Sequence, residues 1–507
     1  MKKTLDSNHG NLFKQRFLNK PAISSPFTRI IKIPNQRGFF LLMLFVMNIQ
    51  LVVSQINSEL DSLLNRGKFH AVVKKIDSIE NQTNTQFNYA FYRGKANEGA
   101  MRYNDAYTSY KKWYASDTTN LDAKLAMARM ANLSGRTQEA KTLFEEMTQM
   151  DSLSFSLNYQ LGRIYQQNNS LNKAILTYQR ILPVDSTNIS LLNNLADCYN
   201  SLGLFPGAIV YYEKAFEQNP YDANIAIKEA NVIIEFQKNI SDSIAGARRI
   251  IDKALQYSPQ SIPLRQSKAI LKFMDRQYEE CDSLLTTIIA EGDSSKMNFK
   301  YQGLSRVYRR RYFDALFPLA IADSLFRDQN GNRTDTEVAL KYPEVLGRCG
   351  DRRLSLNNLA EYEEQLNPQP SILSQINFIR GMVYNYEQQR SKAKNAYWKS
   401  YSLNPTVKSL SNYTNLFYDI VDKERKSKMT PNELQQALFA HIYFLKMVPD
   451  KEPQNTNSMH SVSRKILYYE LEEMFMRGDS ELTLKDPNGK KFTFSQAELK
   501  NMITAPQ

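Results

Sequence analysis

Cysteine, histidine, glycine and proline are all scarce in this 507-residue sequence, which contains three cysteines, four histidines, 18 glycines and 18 prolines. Cys198, Cys281 and Cys349 lie far apart, with no CxxC pair and no histidine at ligand spacing. The sequence therefore predicts neither a disulfide framework nor a zinc site, and each cysteine is expected to be a small buried helical residue. The low glycine and proline content argues against collagen-like, turn-dense all-β and linker-rich chains, and favours long helices.

Catalytic motifs are also lacking. None of the histidines has HExxH spacing, and no GxSxG, Walker or GxGxxG sequence occurs. Adjacent carboxylates such as Glu145 and Glu146 point in different directions on a helix, so they do not form an acid–base pair. We expect a non-enzymatic protein with no catalytic residues, no cofactor and no metal.

Basic residues are in excess, with a formal net charge of +13, which points to a nucleic acid, an anionic membrane or an acidic partner. Residues 1–38 contain eight lysines or arginines and one aspartate, so more than half of the excess lies there. The densest remaining cluster, the four arginines of 306–311, is interleaved with Tyr308 and Tyr312, which suit base stacking. A basic helix face beside core tyrosines explains this cluster more simply, and we expect no nucleic-acid partner.

The basic leader is followed by the apolar run 39–53 and then by Ser54. This arrangement predicts a signal peptide cleaved after Ser54, with Val52 and Ser54 at the −3 and −1 positions. The alternative is an uncleaved anchor that associates with a membrane through 39–53, although this run is shorter than the about 20 residues of a membrane-spanning helix. We expect an exported protein of the periplasm or cell envelope, or one anchored by this run.

A period of 34 residues runs through the chain, and such periods indicate repeat architectures. Three types of position recur with this spacing. Each unit is predicted to consist of two helices whose small residues permit close packing, with an aromatic residue on the second helix that faces the next unit. The first small position is Gly94, Ala128, Gly162, Ala196 and Ala230; the second is Ala106, Ala140, Ala174 and Ala208; the aromatic position is Tyr110, Phe144, Tyr178 and Tyr212.

The pattern resembles the tetratricopeptide repeat family, of an exported bacterial type. The best unit has the family's order of large, Leu, small, Tyr, Gly, Ala, aromatic, Ala and Pro residues, at Leu192, Leu195, Ala196, Tyr199, Gly203, Ala208, Tyr212, Ala215 and Pro220. The resemblance implies an all-α fold, a right-handed superhelical solenoid of helix–turn–helix repeats.

Extending the repeat register gives the expected domain organisation. Residues 1–54 form the leader and signal, 55–86 a degenerate first repeat, 87–327 tandem repeats, and 328–407 degenerate and final repeats. The register predicts a short insertion near 239–243 and a polar break at 328–335.

The region 408–507 lies outside the repeat pattern. Residues 415–426, 433–447 and 464–476 are predicted helices, and 481–494 a β-hairpin around an Asp-Pro-Asn-Gly turn. This region is expected to cap the solenoid or, alternatively, to form a module with its own partner.

The first helix of each unit lines a concave groove in the family that the chain resembles. The resemblance places a basic, an amide and an apolar row there, suited to carboxylates, peptide backbone and side chains respectively. Phe91, Leu125 and Tyr159 stand where a carboxylate clamp would have Lys and Asn, so that clamp is not expected. The candidate peptide-groove residues are Lys95, Arg129, Arg163, Asn132, Gln166, Asn200, Phe91 and Tyr159.

These observations predict a scaffold that binds a protein or peptide in the groove. One alternative is a structural subunit of an envelope or outer-membrane assembly that docks through its C-terminal tail. Another is a glycan-binding protein that uses the groove aromatics. The repeats specify a shape and leave the ligand and the oligomeric state open.

Overall fold

The computed structural model shows an all-α chain with one short β-hairpin, as the sequence predicts. The structure describes residues 36–83, 89–236, 240–366, 368–417, 429–448 and 457–504. The chain divides into two compact units, residues 1–181 and 182–507. The boundary between them falls inside the predicted tandem repeats, where the 34-residue pattern shows no break.

The first unit consists of helical hairpins, each formed by two helices and a short turn. Its helices are α1 (Gln36–Asn65), α2 (Phe69–Thr83), α3 (Ala90–Gly99), α4 (Tyr103–Ser116), α5 (Leu121–Leu133), α6 (Thr137–Met150), α7 (Phe155–Gln167) and α8 (Leu171–Ile181). From α3 onward, the odd-numbered helices are the first helices of the repeats and the even-numbered ones are the second.

The second unit continues with the same type of hairpin and ends in a region of different architecture. The hairpin helices are α9 (Ile189–Ser201), α10 (Phe205–Gln218), α11 (Ala223–Phe236), α12 (Ile240–Tyr257), α13 (Ile262–Met274), α14 (Tyr278–Ala290), α15 (Lys296–Tyr308), α16 (Tyr312–Leu325), α17 (Thr336–Cys349), α18 (Arg352–Leu366), α19 (Pro370–Tyr386) and α20 (Arg390–Leu403). The remaining elements are α21 (Val407–Asn415), α22 (Pro431–Met447), α23 (Asn457–Arg477), β1 (Glu481–Lys485), β2 (Lys491–Ser495) and α24 (Gln496–Thr504).

The turn within each hairpin has the same backbone geometry at intervals of 34 residues. Met101, Gly135, Asn169 and Gly203 all have a positive φ, of 58°, 82°, 54° and 70°. Glycine adopts this left-handed conformation without steric cost, and asparagine tolerates it better than most residues. The turns predicted at Gly135 and Gly203 are therefore confirmed, and the repeat geometry holds Met101 in the same conformation.

The small residues and the aromatics of the repeat meet inside one hairpin. A Cβ atom on Gly162 would collide with the ring of Tyr178, and one on Gly94 with the ring of Tyr110. The sequence analysis placed these rings against the next unit. The structure shows that the rings of Tyr110 and Tyr178 also lie on the first helix of their own unit, where the missing side chain leaves room.

At the N-terminal end of the described chain, α1 runs without interruption through the predicted cleavage point after Ser54. Its apolar side chains Met43, Met47 and Leu51 are between 54% and 69% exposed. The hydrophobic cluster that α1 shares with α2 and α3 begins only at Ile56 and centres on the buried Leu60. Within the described residues, no helix combines the length and apolar content that a membrane span requires.

The insertion predicted near 239–243 lengthens a helix. Residues 237–239 lie outside the described residues, and α12 then extends over 18 residues, more than the other second helices described. Two of the cysteines are fully buried, Cys198 on α9 and Cys281 on α14, whereas Cys349 at the end of α17 is partly exposed. Burial raises the pKa of Cys281 to about 11, so this thiol is protonated at neutral pH.

The polar break at 328–335 contains a buried arginine. Arg333, whose side chain is 1% exposed, lies 2.7 Å from Asp323 of α16 and 2.9 Å from Glu361 of α18. Arg327 also binds Glu361, at 2.7 Å. Burying an arginine is costly unless it is paired, and the break supplies the pairs that join α16 to α18. The degenerate repeat that follows the break is the hairpin of α17 and α18.

The C-terminal region packs on the last repeats. Trp398 of α20 contacts Phe439 of α22 at 5.6 Å between ring centroids, and Phe439 contacts Phe492 of β2 at 5.4 Å. Together with their neighbours these residues belong to one hydrophobic cluster that spans α17 to α24. This packing favours the capping role over a separate module.

The elements of this region agree in part with the sequence analysis. The predicted helices at 433–447 and 464–476 and the predicted hairpin are confirmed, and α24 is an additional helix. The helix predicted over 415–426 does not begin there, because α21 already ends at Asn415; residues 418–428 lie outside the described part of the chain.

Replacing Gly162 by valine places a branched side chain where the ring of Tyr178 lies. We expect the free energy of unfolding to fall by about 1–3 kcal/mol, measured by urea denaturation followed by circular dichroism. In a double-mutant cycle with Tyr178→Leu, the two losses should not add, because the smaller side chain frees part of the space. Simple additivity would contradict the contact.

The ion pairs of Glu361 predict a pH-dependent stability. Its hydrogen bond to Arg327, followed by that to Arg333, lowers the pKa of Glu361 from about 4.5 to about 2. Because the pKa is lowered on folding, the stabilisation is fully present above pH 4.5 and is lost as the pH falls towards 2. Glu361→Gln should therefore lower the melting temperature at neutral pH but scarcely alter it near pH 2.

The matched control for this prediction is Glu364→Gln on the same helix. Glu364 is exposed and has no ion pair among the described residues, so this change should leave the melting temperature nearly unaltered at every pH. A constant difference between Glu361→Gln and the unmodified protein from pH 7 to pH 2 would refute the electrostatic explanation.

Candidate functional site

The groove residues predicted in the first unit share one side of α3, α5 and α7. Each helix contributes residues four and then three positions apart, which lie on one face of a helix. We call this set the first-helix face; it consists of Phe91, Lys95 and Glu98 of α3, Leu125, Arg129 and Asn132 of α5, and Tyr159, Arg163 and Gln166 of α7. The side chains of Lys95, Arg129 and Arg163 are exposed, and the other six are partly buried.

The basic row of this face consists of Lys95, Arg129 and Arg163. Only one of these three cations, Arg129, has an ion-pair partner among the described residues. Arg129 Nη2 lies 3.2 Å from Glu98 Oε1, which joins α5 to α3. Glu98 also accepts a hydrogen bond of 2.7 Å from the hydroxyl of Tyr110. Burial, together with this bond to Glu98, raises the pKa of Tyr110, so the hydroxyl keeps its proton and donates. The carboxylate of Glu98 thus offsets the charge of Arg129.

Lys95 and Arg163 differ from Arg129, since neither has an ion pair among the residues that the structure describes. The ammonium group of Lys95 lies 4.9 Å from the centroid of the Phe91 ring, a cation–π contact that leaves its charge uncompensated. These two side chains are the positive charges of the first-helix face that remain for a ligand.

The apolar row contributes to packing as well as to the surface. The ring of Phe91 meets that of Trp113 edge to face at 4.7 Å. Tyr159 stacks on Phe155 at 5.9 Å and lies 6.1 Å from Tyr178. These contacts fix the orientation of both rings. A fixed ring loses little conformational entropy when a ligand packs on it.

The amide row retains hydrogen-bonding groups for a ligand. Gln166 accepts a hydrogen bond of 3.3 Å from Tyr178 through Oε1, which leaves its NH2 group to donate elsewhere. The side chain of Asn132 has no hydrogen bond within the described part of the chain. An extended peptide has backbone donors and acceptors that side-chain amides of this kind can match.

Asn200, the remaining predicted groove residue, lies on α9 in the second unit. Its Oδ1 is buried without a hydrogen-bond partner among the described residues. Nearby, Asp197 accepts a hydrogen bond from Tyr212 and pairs with Lys228 of α11 at 2.9 Å. Asp197 lies 34 residues after Arg163, at the same position of the next repeat, and there the structure has an ion pair instead of an exposed cation.

The sequence analysis missed two of the ion pairs that join neighbouring first helices. Glu98 and Arg129 are 31 residues apart, as are Asp197 and Lys228. This spacing is three residues short of the repeat period and brings side chains of adjacent first helices together. Opposite charges at this spacing are the signal that would have predicted both pairs.

Glu229 of α11 is a further residue that sequence reasoning missed. It is 2% exposed, and its Oε2 has no hydrogen-bond partner in the described chain. Burial, followed by the nearby charge of Glu213, raises its pKa to about 7. The sequence of an ordinary amphipathic helix does not show which of its carboxylates is buried, so this position could not be predicted.

Comparison with known proteins identifies the repeats. A family model described as tetratricopeptide repeat matches residues 155–188 and 189–222. No curated protein sequence shows significant similarity to the chain.

Solved structures with tetratricopeptide repeats resemble the chain at low identity. A tetratricopeptide repeat protein from Parabacteroides merdae is 16% identical and covers 58% of this chain and 98% of its own, with a TM-score of 0.33. YrrB, described as a tetratricopeptide repeat protein with an unusual peptide-binding site, is 22% identical over 39% of this chain and 96% of its own, with a TM-score of 0.33.

The human IFIT1 dimer with PPP-AAAA is 15% identical over 81% of this chain and 94% of its own, with a TM-score of 0.37. TM-scores of this size support no inference about function. The family match, which coincides with the helix pairs α7–α8 and α9–α10 and with the turns at Asn169 and Gly203, gives the identification. Residues 155–222 of the chain are thus two tetratricopeptide repeats.

Proposed function

We propose that the chain is a non-enzymatic scaffold of the cell envelope that holds an extended, carboxylate-bearing peptide segment of a partner protein on the first-helix face. Tetratricopeptide repeats provide surfaces for protein interaction. The observation that supports this more specific proposal is the pair of exposed cations, Lys95 and Arg163, that lack ion-pair partners within the described chain.

The chemistry of the first-helix face favours a peptide with a carboxylate. The guanidinium of Arg163 can bind a carboxylate through two parallel hydrogen bonds. The amides of Asn132 and Gln166 can pair with peptide backbone groups, and the fixed rings of Phe91 and Tyr159 can pack against apolar side chains. Arg129 is expected to contribute less, because Glu98 already compensates its charge.

A library of displayed random peptides with free C-terminal carboxylates provides the test of this face. Peptides selected on the unmodified protein should lose affinity for Arg163→Ala by roughly tenfold or more, since removing one partner of a charged hydrogen-bonded pair is costly. Arg129→Ala should have a smaller effect. Fluorescence anisotropy with the selected peptides measures both dissociation constants.

The matched control is Lys112→Ala, which removes one exposed positive charge from α4, away from the first-helix face. This variant should bind the selected peptides as the unmodified protein does. If Lys112→Ala and Arg163→Ala weakened binding equally, net charge alone would explain the effect. Selected peptides that bind Arg163→Ala normally would also overturn the proposal.

The proposed setting in the envelope rests on the leader and on the start of the packed structure. Cleavage after Ser54 removes the exposed apolar side chains of α1 and none of the hydrophobic cluster that begins at Ile56. It also removes the eight basic residues of 1–38 and lowers the formal net charge from +13 to +6. A mature chain that begins at Gln55 thus keeps its core.

Sequencing the N-terminus of the protein isolated from its native cells tests this setting. We expect Gln55 as the first residue, in the fraction that contains envelope proteins. A chain that begins with Met1 and sediments with membranes would show the uncleaved anchor instead. Recovery of the intact chain from the cytosolic fraction would reject export altogether.

A further inference from the structure

The second helix α16 has an apolar stripe on its solvent side. Phe313 and Phe317 are 74% and 73% exposed, and Leu325 is 44% exposed. With the partly buried Ile321, these residues follow one another at intervals of four, which places them in a continuous row along the helix. The row spans about 18 Å at a rise of 1.5 Å per residue.

The stripe is unusual among the second helices that the structure describes. On the others, exposed large apolar residues occur singly, such as Leu176 on α8 and Val210 on α10. Single exposed apolar residues are ordinary, whereas a contiguous row marks an interaction surface. Neither Phe313 nor Phe317 contacts another aromatic ring in the described part of the chain.

Opposite charges lie at the two ends of the stripe, at equal distances along the sequence. Arg310, three residues before Phe313, is exposed and has no ion pair among the described residues. Asp328, three residues after Leu325, is also exposed. It accepts hydrogen bonds from the backbone N–H groups of Asn330 and Asn332, each at 2.8 Å, and these fix the carboxylate.

We propose that this stripe is the contact between two copies of the chain, with their α16 helices antiparallel about a two-fold axis level with Leu319. In such an isologous contact each pair of residues occurs twice. Phe313 then faces Leu325 of the second copy, and Phe317 faces Ile321 of the second copy. Arg310 faces Asp328 of the second copy, so both ends of the contact are neutralised.

The same arrangement accounts for the small residues on this side of α16. Ala320 and Ser324 lie beside the apolar row and let two helix backbones approach closely. One helix pair buries less than the about 1,200 Å² of a standard interface, so the dimer is weak and has a dissociation constant in the micromolar range.

Sedimentation equilibrium of the full chain tests the association. The unmodified protein should pass from monomer to dimer as its concentration rises to about 200 µM. Phe313→Glu with Phe317→Glu should stay monomeric over that range, because the contact would have to bury four carboxylates against apolar side chains. The control Leu176→Glu changes an equally exposed apolar residue of α8 and should dimerise normally. The proposal is overturned if the unmodified protein stays monomeric, or if the double variant associates as strongly as the unmodified protein.

Charge reversal tests the ends of the contact. Arg310→Asp places two carboxylates together at each end, and we expect dimerisation to weaken by roughly tenfold. Adding Asp328→Arg restores both pairs with the signs exchanged and should recover most of the affinity. A melting temperature for each variant shows whether the chain still folds. Failure of the double reversal to recover in a folded protein contradicts the antiparallel arrangement.

Disulfide trapping tests the orientation directly. When Phe313→Cys and Leu325→Cys proteins are mixed and oxidised, the antiparallel contact predicts a disulfide between the two variants and almost none within either variant alone. The unmodified chain, with its three native cysteines, is the control for background oxidation. Preferential 313–313 and 325–325 disulfides would show a parallel arrangement and overturn the proposal.

Discussion

The close approach of two helices within each hairpin is the constraint on which the rest of the structure depends. Where the first helix has glycine, as at Gly94 and Gly162, the tyrosine of the second helix lies directly on its backbone. The phenol then reaches a polar side chain of that first helix, Glu98 or Gln166. Core packing and the polar groups of the exposed face are therefore coupled through the same tyrosine. A change in the buried contact therefore also affects Glu98 or Gln166 on the exposed face.

The turn between the two helices imposes a second requirement, because it needs a left-handed residue once in every 34. Glycine meets it at Gly135 and Gly203, whereas Met101 and Asn169 adopt the same φ without that freedom. The conformational energy that these two positions cost is small compared with the free energy that each hairpin gains by burying apolar surface on its neighbours. Tertiary packing thus overrides local preference, which is why the repeat persists where its sequence signature fades.

Electrostatic pairing determines which charged residues are available for binding. Arg129 and Asp197 occupy the same position in their repeats. The charge of each is compensated by a side chain of a neighbouring first helix. The arginines of 306–311 show the same effect, since Arg306, Arg309 and Arg311 all have acidic partners. Arg310 is the member of this cluster without one in the described chain. On the first-helix face, pairing thus leaves Lys95 and Arg163 as the cations without an ion-pair partner among the described residues.

The sequence alone predicted the period, the two small positions, the turns and the hairpin at 481–494. Each of these features follows from local spacing and residue type. The candidate residues of the first-helix face followed from the period together with the resemblance to the tetratricopeptide repeat family. The tertiary structure alone decided that Glu98 neutralises Arg129, that Arg333 is buried between Asp323 and Glu361, and that Phe313 and Phe317 remain exposed. These features join residues of different helices. Their energies depend on distance and burial, which a one-dimensional pattern does not contain.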